Sequence, residues 1–433
     1  MDRRRFLGNS GFALGAAALF PALNTKATPL NLTAGSWEGF RSLFKLDPSY
    51  IHMTQMLLAS HPQPVRDAID NHRRKLDENP TDYWENNFIQ FERDVIKAAA
   101  KYVEADPEEI MLTDSTTMGL GLLYSGLKLS SKDEILTTTH DHYSTEKSLE
   151  YAAARNGAKV KRISLYTTPE SASTDQIVST ILRNITDATR VLAVTWVHSN
   201  TGVKLPIPVI GKAIAEVNAK RGAEKRIYFC VDGVHGFGVD SITMKQMGCD
   251  FFVAGTHKWI FGPRGTGIVF GKRDAWDLLG PTIPAFSELS YYMWMGEIPE
   301  GKIHFSDLHT PGGFHSFEHR WALKEAFELH LNTGKDLIMQ RNQQLSLLLK
   351  NGLKDMKHVK LLTPLDKDLS AAINCFVVDG MKPEDVMKKL HAKKIISSTT
   401  PYRTHYNRLT PCIINTEDEV NQCLTALARI KNT

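Results

Sequence analysis

Seven short apolar runs recur through the middle of the chain, at residues 110–113, 134–138, 160–164, 190–197, 227–232, 250–254 and 267–270, separated by helical segments or Gly/Asn turns. Strands that alternate with helices pair mostly in parallel. A parallel sheet then needs helices on both faces to keep its apolar surfaces from water. The expected fold class is therefore α/β, with a mostly parallel sheet at the centre of a large domain. Ligands of such sheets gather at the carboxyl ends of the strands, so the residues just after each run are the candidates for chemistry.

Further along, the pattern changes. Residues 317–353 read as one long helical stretch, with Trp321, Leu323, Ala326, Phe327 and Leu329 spaced for an apolar face, suited to an interdomain spine. A smaller α+β unit follows: a strand at 372–378, a helix at 383–394, strands at 395–398 and 408–414, and a helix at 417–430. Thr416 and Glu419 form a capping box at the start of that last helix. A chain of 433 residues exceeds one ordinary domain. The division expected is a leader at 1–27, a large domain at 28–315 whose N-terminal segment packs on the small domain, and an interdomain helix with the small domain at 316–433.

The leader begins with Arg3, Arg4 and Arg5, continues with Phe6 and Leu7, and enters an apolar run at 11–23 that is short for a bilayer span. It has the shape of a secretory signal and resembles a twin-arginine export signal, with small residues near 25–27 for cleavage. Export to a bacterial periplasm is the expectation, with no stable membrane anchor after cleavage. Without residues 1–27 the chain keeps 48 basic against 47 acidic residues. That balance offers no electrostatic footprint for nucleic acid. The five cysteines, at 230, 249, 375, 412 and 423, lie far apart in apolar stretches and include no C-x-x-C pair, so they read as buried thiols.

Four strand ends carry the chemistry. Gly255-Thr256-His257-Lys258-Trp259 follows the run at 250–254 and precedes the turn Gly262-Pro263-Arg264-Gly265-Thr266-Gly267. A lysine partly desolvated there has a lowered pKa and can act as a Schiff-base nucleophile. The run at 227–232 ends in Asp232-Gly233-Val234-His235, where a carboxylate can keep a pyridine nitrogen protonated. After 110–113 come Asp114-Ser115-Thr116-Thr117, hydroxyls and backbone N–H groups at a helix start, suited to a phosphate. After 134–138 come His140-Asp141-His142, where an imidazole can stack on a flat ring.

Together these motifs resemble the class V aminotransferase family of fold type I pyridoxal phosphate enzymes, over roughly residues 45–430, and look closest to its isopenicillin N epimerase-like branch. The resemblance implies pyridoxal 5′-phosphate as cofactor. Lys258 then forms the Schiff base, Asp232 pairs with the pyridinium nitrogen and His142 stacks on the ring. Thr116 and Thr117 hold the phosphate, with His257 near it, and His235 lies near the ring's phenolic oxygen. Arg408, opening the stretch Arg408-Leu409-Thr410-Pro411, matches the arginine that binds a substrate α-carboxylate. Relatives carry a serine where this chain has Gly255, which leaves Thr256 as the replacement phosphate contact. The family asparagine near the ring corresponds to Asn200 or, counting back from Gly202, to Ser199. A homodimer is implied, with Thr310 in the turn Thr310-Pro311-Gly312 reaching the neighbour's phosphate.

His315-Ser316-Phe317-Glu318-His319 matches the H-x-x-E-H pattern of inverted zinc peptidases, but no downstream acidic ligand accompanies it and no metal is assigned. The expected function is that of an enzyme acting at the α-carbon of an amino acid or amino-terminated peptide, as epimerase or aminotransferase. The alternatives are a C–S lyase or other β-eliminating enzyme and, from another class, a non-catalytic binding protein. Persulfide sulfur transfer is disfavoured, since the loop 396–407 before Arg408 has no cysteine. Epimerisation needs a second acid, for which His52, Tyr402 and His405 are the candidates.

Overall fold

A computed structural model describes residues 37–299 and 305–430; the leader read at 1–27 lies outside them. After a short β1 (Ile51–His52), seven strands form the large sheet: β2 (Ile110–Thr113), β3 (Glu134–Thr138), β4 (Lys159–Ile163), β5 (Thr189–Thr195), β6 (Tyr228–Asp232), β7 (Phe251–Gly255) and β8 (Gly267–Gly271). Their spatial order is β2-β8-β7-β6-β5-β3-β4, and every pairing is parallel except the two made by β8. Each strand falls within a residue or two of its apolar run.

The runs are continuous rather than alternating because the sheet is covered on both faces. Phe229 and Val231 of β6 enter one apolar cluster while Cys230 enters another, and Phe252 and Ala254 of β7 divide from Phe251 and Val253 in the same way. Successive side chains of a strand point to opposite faces, so each run feeds two cores.

The expected single spine is two helices, Phe317–Thr333 and Lys335–Lys354. Gly334 between them sits at φ +96°, a backbone conformation that side-chain-bearing residues avoid, and the helix ends there. The smaller sheet is antiparallel, in the order β12 (Ser398–Thr399), β13 (Asn407–Leu409), β10 (Asn374–Val378), β9 (Val359–Leu361). Here β13 is shorter than its apolar run because Pro411 has no N–H to continue a ladder. The capping box forms, with Thr416 accepting from the Glu419 N–H.

The segment before the large sheet joins the two. β1 pairs in parallel with β11 (Ile395–Ile396), and Thr410 donates both its N–H and its hydroxyl to the Met53 carbonyl. A few residues on, the Gln55 side chain donates to the Lys258 carbonyl at 3.1 Å and the Ala59 N–H to the His257 carbonyl at 3.1 Å.

Candidate active site

The ends of β2, β3, β5, β6 and β7 converge on one cavity of about 180 Å³. Lys258, Asp232 and Arg408 are the charged side chains on its wall, with His142, His235 and His257, the hydroxyls of Ser115, Thr116, Thr117, Ser144 and Ser199, and the apolar Met56 and Leu57.

β6 places Asp232 at its last position, 2% exposed. The chain turns at once through Gly233, where a Cβ would lie 1.9 Å from the Phe252 ring, so only glycine lets the turn sit on β7. One Asp232 oxygen accepts the Val234 N–H, and the other accepts the Thr145 hydroxyl at 3.2 Å. Burial pushes the Asp232 carboxyl up to about 6, partly offset by these bonds and by Lys258.

Lys258 lies just past β7. Burial brings its amine down to about 8, with Asp232 opposing and Arg408 adding to the fall. The loop that carries it is held tightly: Phe261 takes φ +59°, costly for a bulky side chain, and its ring packs against Phe40 and Phe44. His235 faces the amine, its Nε2 3.5 Å from Nζ. Indole N–H can only donate, so the Trp259 Nε1–H on His235 Nδ1 at 3.4 Å puts the proton of neutral His235 on Nε2, toward the lysine.

On the other side, Ser115 caps the helix Thr116–Gly126, accepting the Met118 N–H at 3.1 Å. The first-turn amides of Thr116 and Thr117 have no intrahelical partner, which makes this end receptive to an anion. Thr117 and Ser144 hydroxyls meet at 3.0 Å, and Thr116 Oγ1 accepts the Gly255 N–H at 2.8 Å. His142 caps the next helix through Nδ1, and burial, with Lys258 and Arg408 nearby, lowers its pKa. Its neighbour Asp141 points away, taking the Thr138 and Thr195 amides and two threonine hydroxyls, and so locks β3 to β5.

Arg408 is buried on β13. Its Nη1 donates to the Ser199 carbonyl at 3.0 Å, Nη2 to the Thr399 carbonyl at 2.7 Å and Nε to the Ser398 hydroxyl at 3.2 Å. Among the described residues no carboxylate forms an ion pair with it. Two of its five N–H donors remain, matching the needs of one carboxylate.

Two expected contacts are not made. Thr256 is fully buried and its hydroxyl meets that of Thr266 at 2.5 Å, because side chains alternate beyond β7 and position 256 faces inward while 257 faces the cavity. Asn200 is not on the wall; its Oδ1 is buried without a partner, and Ser199 lines the cavity instead. Thr310, expected to serve a neighbouring chain rather than this one, follows the helix Phe305–His309 with its hydroxyl on the Ser306 carbonyl. The H-x-x-E-H pattern also dissolves. His315 precedes the helix and lies 3.7 Å from Glu92, while His319 bonds the Arg264 carbonyl. Among the described residues no group of three metal-ligating side chains occurs.

Sequence reasoning carries the His140 motif through Ser144 but gives neither Ser144 nor Thr145, at the start of the helix Tyr143–Asn156, a role. Only the fold shows that this helix starts beside β6. For the second acid, Tyr402 stands at the site, its hydroxyl 2.7 Å from Ser199 Oγ. His52 bonds the Asp47 carbonyl and the exposed His405 pairs with Glu384, both away from the cavity.

These residues fit pyridoxal 5′-phosphate: a buried amine of lowered pKa, a carboxylate fixed below it, and an anion-receptive helix start at one edge. Together with a seven-stranded sheet whose only reversed strand is β8, they define a fold type I pyridoxal phosphate architecture. The chain belongs to the family described as Aminotransferase class-V, whose sequence profile matches residues 59–401. It is 23% identical to an isopenicillin N epimerase of Streptomyces clavuligerus, covering 79% of this chain and 84% of that one. It is 22% identical to a probable cysteine desulfurase of Xylella fastidiosa, covering 94% and 98%. Its fold is similar to C-DES, solved as a variant with glycine covalently linked to the PLP cofactor, at TM-score 0.80 and 22% identity, covering 90% and 99%. A second C-DES structure, at TM-score 0.78 and 22% identity and covering 88% and 98%, is described as the cystine C–S lyase with its product cysteine persulfide.

Proposed function

We propose that the protein removes the α-proton of an amino acid or amino-terminated peptide, as an epimerase or aminotransferase. The carrying observation is the cavity itself: an amine near pKa 8 at Lys258 faces the same small space as Arg408, a buried guanidinium with no ion-pair partner among the described residues. Bound pyridoxal phosphate supplies the electron sink that makes an α-proton removable. Arg408 binds the substrate carboxylate in bidentate fashion and so orients the Cα–H bond. Lys258 Nζ, neutral over much of the range above pH 7, takes the proton. Asp232, held by Val234 and Thr145, keeps a proton at the pyridine nitrogen, and His142 closes the ring's face to water. Ser115, Thr116 and Thr117 hold the phosphate.

The same groups would serve β-elimination, the reading supported by the likeness to the cystine C–S lyase. Sulfur transfer through a protein thiol is not supported. All five cysteines are buried and absent from the cavity wall, and burial pushes the Cys375 thiol, the one coupled to Arg408, up to about 12. The test is the absorbance of the purified protein and α-hydrogen exchange in deuterated water with a panel of amino acids. Exchange that depends on Lys258 supports the reading, sulfide released from cystine selects the lyase, and exchange with no substrate refutes Cα chemistry. We further propose twin-arginine export, tested by periplasmic yield of an Arg3→Lys/Arg4→Lys variant, and a homodimer in which Thr310 serves the neighbouring site.

A further inference from the structure

Lys258 is one proton-moving group in the cavity, and Ser199 on its wall, with Tyr402 behind it, makes another pair. Ser199 faces the cavity, and its hydroxyl lies 2.7 Å from that of Tyr402. Two groups fix this pair. Arg408 Nη1 holds the Ser199 carbonyl at 3.0 Å, and the Tyr402 ring stands edge-on to His142, with centroids 6.2 Å apart. Burial pushes the Tyr402 phenol up to about 12, while hydrogen bonding to Ser199 and the charge of Arg408 oppose the rise. At neutral pH Tyr402 is therefore a proton donor, whereas the neutral fraction of Lys258, which grows as pH rises toward 8, is the acceptor.

Their placement is complementary. Lys258 follows β7 and Ser199 follows β5, and these strands flank β6, which ends in Asp232. With strands about 4.8 Å apart, the two groups approach a ligand anchored on Asp232 from opposite flanks, roughly 10 Å apart at the backbone.

We propose that Ser199, backed by Tyr402, is a second proton-transfer group, and that the reaction at this site is a two-base epimerisation. This rests on the reading above that Lys258 removes the α-proton. The Cα–H bond breaks and its proton passes to Lys258 Nζ. A proton from Ser199 Oγ then forms the new Cα–H bond on the opposite side, and the Tyr402 hydroxyl proton moves to Ser199 Oγ. Solvent reprotonates the phenolate beside Arg408 and takes the extra proton from Lys258, so one proton enters for each that leaves and no oxidant is needed. Ser199 is the group that meets the substrate, and Tyr402 acts through it.

The test follows stereochemistry in deuterated water with the holoenzyme and an amino acid that the wild type exchanges. Two rates are measured: α-hydrogen exchange by NMR and inversion by chiral chromatography. Inversion with deuterium incorporation is expected in the wild type. In Tyr402→Phe and Ser199→Ala the ratio of inversion to exchange should fall on the order of 10²-fold, the usual contribution of a positioned acid. Ser199→Thr, which keeps a hydroxyl, should restore part of it. Binding of an α-methyl amino acid, which has no α-hydrogen, read as a shift of the cofactor's absorbance, reports that each variant still forms the site. Exchange and inversion falling together would assign the pair a structural role and overturn the proposal. Wild-type exchange with full retention overturns it too, while leaving Cα deprotonation standing. A wild type that exchanges nothing overturns the underlying reading and the proposal with it.

Discussion

The amine of Lys258 offers a direct quantitative check. Its pKa stands near 8 rather than 10.5, chiefly because the surrounding protein desolvates the ammonium form. At pH 7 a group with pKa 8 is about 9% neutral and one with pKa 10.5 about 0.03% neutral, an advantage of about 300-fold in the nucleophilic form. Cofactor-free protein mixed with pyridoxal phosphate in a stopped-flow spectrometer should capture it with a rate that rises with pH and levels off above a midpoint near 8. Asp232→Asn sharpens the test. The carboxylate stabilises the neighbouring ammonium, so replacing it with a neutral amide should move the midpoint lower still. A wild-type midpoint close to 10.5, or an upward move in Asp232→Asn, would refute the claim that burial tunes this lysine.

Stability should carry the same signature: the unfolded lysine binds its proton up to about pH 10.5 and the folded one only to about 8, so cofactor-free protein should gain stability as pH rises between these values, and chemical denaturation of Lys258→Met should show no such gain from this site. Arg408→Gln should weaken amino acid binding by about 10- to 150-fold, the worth of a charge-assisted hydrogen bond, while amines lacking the carboxylate bind as before. Equal losses for both ligands would remove Arg408 from carboxylate binding. Phe261→Gly and Phe261→Ala should both be destabilised by about 3–5 kcal/mol through loss of the packed ring. Because of φ +59°, the glycine variant should be the more stable of the two by about 1 kcal/mol, reversing the usual order, as thermal melts will show.

What the sequence makes legible follows from how local the cause is. Strands such as β6 and β7 announce themselves because both faces are buried and their interiors must be apolar, and the groups at or just past their ends, Asp232 and Lys258, inherit their positions directly. The break at Gly334 is less visible, since glycine inside a helical pattern is tolerated and only its positive φ ends the helix. Thr256 and Asn200 fail for a related reason. Each lies one position from a residue that does line the cavity, and a one-residue displacement past a strand end turns a side chain to the opposite side. Arg408 was legible as a cation but not as an unpaired one, because its isolation depends on which carboxylates the small sheet leaves out of reach. Tyr402 meets Ser199 across 203 residues of sequence, a contact that no local pattern encodes.

The early segment around β1 also sets an order of events during synthesis. Thr410 meets Met53 across 357 residues, and Asn415 reaches the His52 carbonyl across 363. Until the ribosome has made nearly the whole chain, β1 lacks these partners, and the Gln55 and Ala59 contacts to the lysine loop cannot be drawn taut from the far end. Closing a loop of that length is an entropic cost that only the finished small sheet can offset. The large sheet can therefore form on a nascent chain, whereas the loop of Lys258 gains its contacts with a fully anchored N-terminal segment only when the small sheet is complete.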